Sequence, residues 1–161
     1  MTVNVKSAIT AAIIAAIVFM MLEMLLVATI GGGSPWGPPR MIAAIALGKG
    51  VLPPPASFDL TILFVAMAIH LILSIILAIV FALIADAARW SLMTTAIAGL
   101  VFGIVIYFVN FYGMTAMFPW FAMARGMISL FAHAMFGLVL GYVYRSMTPL
   151  VIDTAAQRSA A

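Results

Sequence analysis

Four long apolar runs, at about residues 8–30, 60–85, 92–111 and 126–144, constrain this chain more than any other feature. A helix rises 1.5 Å per residue, so roughly 20 such residues cross a hydrocarbon core of about 30 Å. In lipid a backbone must bond to itself, which leaves helices or closed barrels. No short alternating strands are visible. The expected fold is therefore an all-α membrane protein, one domain over 1–161, with four transmembrane helices in a bundle. Composition agrees: 67% of residues are hydrophobic and 7% charged, far from the roughly 25% charge of soluble domains.

The first run follows one early lysine, Lys6, as a secretory signal would, but it outlasts a signal core of roughly 7–15 residues. It is expected to stay as a span. Between the first two runs lies "GGGSPWGPPRMIAAIALGKGVLPPPASFD", whose Pro and Gly clusters forbid a continuous helix. Its "MIAAIALG" is too short to cross and reads as a short interfacial helix. The tail after Pro149 reads as frayed. Lys6, Arg89, Arg145 and Arg158 fall on one side of the bundle and Arg40, Lys49 and Arg125 on the other. Four against three places both termini in the cytoplasm. Trp36, Phe118, Trp120 and Phe121 mark the opposite interface, as an aromatic belt. Arg40 and Arg125 there read first as snorkelling anchors and second as contacts to lipid headgroups or an acidic ligand.

The chain also resembles itself. A shift of 84 lays Thr10 on Thr94, Ala12 on Ala96, Pro35 on Pro119 and Trp36 on Trp120; a shift of 63 lays His70 on His133. The 21-residue difference is an insertion in the long loop. Halves 8–85 and 92–145 would then be parallel two-helix repeats about an axis along the membrane normal.

Both histidines sit inside apolar runs. His70, Ser74 and Ala78 share one face of the second span, and His133, Gly137, Gly141 and Arg145 one face of the fourth. Small residues at four-residue steps let helix backbones approach closely, and Gly99 and Gly103 provide the same in the third span. The histidines are thus expected on packing faces, at equal depth, facing each other. One reading is a b-type haem held by His70 and His133 as axial ligands. The other is that both hydrogen-bond to neighbouring helices. A metal site is not expected.

Glu23 is the one acid inside a span. Its depth allows a contact with His70 across the first hairpin. Asn110 and Tyr107 (the repeat counterpart of Glu23) lie at similar depth and complete a ligand or proton path. A neutral Glu23 bonded to a backbone carbonyl or hydroxyl is the alternative. Asp59, Asp86 and Asp153 lie at or beyond span ends and read as solvated.

No phosphate loop, nucleophile elbow or H-E-x-x-H motif is present, and with no cysteine thiol chemistry is excluded. The scattered net charge of +3 does not make a nucleic-acid surface. "HLILSIILA" and "HAMFGLVLGYVYR" resemble the pattern of small, functionally uncharacterised four-helix membrane proteins of bacteria, with Ser74 and Ala78 in place of the glycines expected in the second span. The resemblance spans most of residues 8–145 and implies a bacterial inner-membrane location and no particular reaction. Three functions fit: a non-enzymatic accessory or interaction subunit, associating with itself or other membrane subunits; a bis-histidine haem b electron carrier; and a small oligomeric carrier or channel lined by Glu23, His70 and Asn110.

Overall fold

A computed structural model describes residues 3–150. It is all-helical, with no strand among the described residues. Five α-helices run in the order α1 (Val5–Thr29), α2 (Gly37–Leu47), α3 (Leu60–Ala87), α4 (Leu92–Phe108) and α5 (Met127–Met147). All but α2 belong to segments long and apolar enough to cross a membrane; α4 does so with the turns that continue it to Ala116. Asp153, Arg158 and most of the tail after Pro149 lie outside the described residues.

Helix starts follow local chemistry. Asn4, Asp59 and Ser91 each accept a backbone N–H from three residues on (Ser7, Ile62 and Thr94), satisfying donors that a helix leaves open. Gly37–Leu47 carries prolines in its first turn, where no N–H is needed, and ends at Gly48 with φ +79°. The helix expected in the first loop thus forms. It packs chiefly against α3, not apart from the bundle.

Past Phe108 the fourth helix widens into a π turn, Val109–Gly113, and then narrows to 3-10 turns at Met114–Ala116 and Pro119–Ala124. Arg125 holds this region together: its Nε donates to the Phe111 carbonyl at 2.7 Å, and its guanidinium lies 4.3 Å from the centre of the Tyr112 ring. Arg40 does the same for the first loop, donating to the carbonyls of Val51 and Ser57. Both arginines therefore staple loop backbone, a role that the snorkelling reading did not include.

The helices do not close evenly into a bundle. α5 lies along α4 and α1, and α3 lies along α1 and α2. α3 meets α4 and α5 at only a few residues. The α4–α5 contact is backbone on backbone. A Cβ added at Gly103 would lie 2.9 Å from the His133 carbonyl carbon, and one at Gly137 2.7 Å from the Gly103 nitrogen. At Gly99 and Gly141 the nearest atoms are likewise main chain, from Gly137 and Thr95. In α1 an alanine stripe (Ala8, Ala12, Ala15) is fully buried, and on α3 Ser74 and Ala78 are buried as well.

At the end of the bundle opposite the long loops, α3 is clasped to α5. Arg145, only 4% exposed, pairs with Asp86 at 3.0 Å and donates to the Ala85 carbonyl at 2.9 Å. The Tyr144 hydroxyl donates to the other Asp86 oxygen. Asp86 is thus an ion-pair partner and not a solvated helix-end acid. It lies inside α3, which runs two residues beyond the expected end, level with the end of α5. Asp59 remains a helix cap.

Candidate functional site

The intramembrane polar groups converge where α1, α4 and α5 meet. Glu23 is 5% exposed, and its Oε1 accepts a 2.5 Å bond from the Ser129 hydroxyl on α5. Its Oε2 is buried with no hydrogen-bond partner. One turn along α5, His133 Nδ1 lies 2.7 Å from the Ser129 carbonyl. A carbonyl only accepts, so Nδ1 carries the hydrogen and Nε2 is the acceptor of a neutral ring. The Asn110 amide nitrogen, 3.3 Å away in the π turn, donates to it. Asn110 thus reaches α5 from within the π turn.

Aromatic rings surround His133: Phe19 at 4.7 Å, Phe111 at 5.3 Å and Tyr107 at 5.8 Å between ring centres. The Tyr107 hydroxyl accepts the Gly126 N–H at 3.0 Å, which fixes the start of α5. Gly126 also borders a cleft with Tyr107, Phe108, Tyr112, Arg125, Met127 and Leu130. This cleft comes within three residues of Ser129 along α5.

Glu23, Tyr107, Asn110 and His133 thus come together, and His70 stands apart. Half-buried on α3, it donates from Nε2 to the Ala16 carbonyl at 3.2 Å. Glu23 finds its partner on α5 and not in His70, because its side of α1 faces α5 while the α3 side carries Ala16. The histidines do not face each other across open space either. The Phe19 ring packs on both, 5.0 Å from His70 and 4.7 Å from His133. A porphyrin needs a clear slab between two imidazoles whose free nitrogens point at its iron. Here a benzene ring fills that region, His70 Nε2 is spent on Ala16, and the acceptor nitrogen of His133 faces Asn110. The residues present do not fit a bis-histidine haem. Among the described residues no three His, Asp or Glu side chains group as a metal site would need.

Ser129 is the residue that sequence reasoning missed. Its position four before His133 put it on the same helical face, and that spacing was the available signal.

No family model, curated protein or solved structure matches this chain. Four apolar helices make it a multi-pass membrane protein, and the geometry above is what bears on its role.

Proposed function

We propose that this chain is a non-enzymatic, multi-pass protein of the bacterial inner membrane that works as a subunit of a larger membrane assembly. The observation that carries this reading is the open side of the bundle. Because α3 scarcely touches α4, an apolar groove runs between them, lined by Phe81, Ile84, Trp90, Ala98, Val101, Phe102 and Val105. α3 is the longest helix and the least covered of the four spans. A groove between two spans, with Trp90 of the short α3–α4 connection in its lining, suits one further transmembrane helix, from another subunit or a second copy. Ser129, His133, Asn110 and His70 are engaged in hydrogen bonds that hold helices together. The inner-membrane setting rests on the resemblance in spans two and four, and cytoplasmic termini rest on the four-against-three distribution of basic residues. The 84- and 63-residue shifts support an origin in two duplicated hairpins.

The natural absence of cysteine makes the test direct. Single cysteines at Ala98 and Val101, in the groove, and at Ile14 and Ile72, exposed on other faces, are cross-linked in native membranes. Discrete adducts from the groove positions alone support a subunit role; a self-dimer identifies the partner as a second copy. Equal, diffuse cross-linking from all four positions refutes it.

A further inference from the structure

Glu23 is an acid with no base. Among the described residues the one ion pair is Asp86–Arg145, at the other end of the bundle. Of the cations on the loop side, Arg40 and Arg125 are bonded to loop carbonyls and Lys49 is exposed in the turn after α2. Glu23 is bonded to Ser129 of α5, and the polar groups beyond it are uncharged donors and rings: His133 on Ser129, Asn110 of the π turn and Tyr107 of α4 on His133, and His70 of α3 on Ala16. From α2 comes no hydrogen bond to this cluster.

A carboxylate this deep with no cation beside it is costly, and so is a carboxylic acid whose hydroxyl finds no acceptor. The bland arrangement, a neutral glutamic acid donating to a backbone carbonyl, is not what the structure holds. Ser129 donates into Oε1, which either charge state accepts, and Oε2 is left open. Neither the charged nor the neutral form is held by a full set of partners, so the surroundings lock neither one in place.

Access is short. Glu23 lies six residues, about 9 Å, from the loop-side end of α1. Ser129, itself buried, is in the first turn of α5 between Met127 and Leu130, which line the Tyr107–Arg125–Gly126 cleft. π turns in membrane helices often accompany functional positions, and this one carries Asn110.

We propose that Glu23, with Ser129 as the hydroxyl that steadies its anion and the Tyr107–Gly126 cleft as its entrance, is an intramembrane proton-binding site that exchanges with the loop side of the membrane. The ligand class is the proton: one carboxyl and one hydroxyl are too few oxygens for a Ca2+ or Mg2+ ion, which takes about six or more.

Dicyclohexylcarbodiimide tests this on the wild-type chain in proteoliposomes. Only a protonated carboxyl reacts. Its O–H adds across one C=N bond, and the acyl group then migrates to nitrogen, so the peptide gains the whole reagent mass with no leaving group. Labelling of the Glu23 peptide, read by mass spectrometry, should be strong at acid pH and be lost as pH rises. Ser129→Ala removes the donor that favours the anion, so the same loss should come at higher pH. Labelling that stays constant with pH, or never occurs, overturns the proposal and leaves Glu23 a fixed structural acid. Protection by sodium at constant pH overturns it in favour of an alkali cation. None of these outcomes depends on the α3–α4 groove.

Discussion

Replacing Gly137 by alanine tests the backbone-on-backbone contact between α4 and α5. A Cβ there would stand 2.7 Å from the Gly103 nitrogen and 2.8 Å from the Gly99 carbonyl carbon. Ordinary contact begins at 3.4 Å, so these two atoms are too close by 0.7 and 0.6 Å, and the Gly99 carbonyl oxygen stands closer still. Every obstructing atom is main chain, and no flexible side chain can swing away. The helices must part by about an ångström or more, and even a gap of 0.5–1 Å forfeits roughly a quarter to a half of each van der Waals contact along the interface. Overpacking of this kind costs about 1–3 kcal/mol, more where only backbone can yield. Alanine returns up to about 1 kcal/mol through its better helix propensity. The expected net loss is about 2 kcal/mol or more. Gly113 provides the control, with φ −78° and nothing within 4 Å of an added Cβ. There alanine should be neutral or stabilise by up to about 1 kcal/mol. SDS titration of both variants from dodecyl maltoside, followed by circular dichroism, gives the comparison. Gly137→Ala as stable as Gly113→Ala would refute the packing argument.

Asp86→Asn strands the buried Arg145 charge and should cost about 3 kcal/mol in the same titration; Asp86→Asn with Arg145→Met should recover much of that, and a purely additive double mutant would show the pair is not coupled. Phe19→Ala opens a cavity beside both imidazoles and should cost about 3 kcal/mol or more, whereas Phe64→Ala, on an exposed face of α3, should cost little. His133→Ala should destabilise more than His70→Ala, since it removes two hydrogen bonds from a buried site against one from a half-buried site; the reverse order would contradict the geometry. Protein purified from haem-replete cells should show no stoichiometric b-type band in a reduced-minus-oxidised spectrum, and such a band would mean that Phe19 does not sit where it is described.

The spans were legible because length and apolarity are properties of a run and need no knowledge of its neighbours. The first-loop helix was legible for a related reason: prolines before it and a glycine after it punctuate the backbone locally. Partners were harder to read. A soluble helix announces its buried side by alternating polar and apolar residues, but α1 and α3 are apolar all round. Small-residue stripes fill that gap only in part. They mark Gly99, Gly103, Gly137 and Gly141, yet they do not say that Glu23 turns toward Ser129 and away from His70. The π turn in "VNFYG" carries no proline, and its one glycine stands only at its end, so the rotation that delivers Asn110 to His133 left little mark in the sequence. Asp86 and Arg145 were each placed near a helix end on the same side of the membrane. Their pairing was implicit in that placement, but burial could be seen only once α3 and α5 converged.

The Glu23–Ser129 bond joins residues 106 positions apart, and this separation sets an order of events during synthesis. The helix bearing the acid leaves the ribosome and enters the bilayer before the helix bearing its hydroxyl has been translated. At about 5–20 residues per second, 106 residues take roughly 5–20 s. For that interval the nascent first helix must carry its carboxyl through apolar surroundings unaided, held by the insertion machinery or by its own proton. The step most sensitive to a charge at position 23 is therefore the integration of α1, well before the bundle exists.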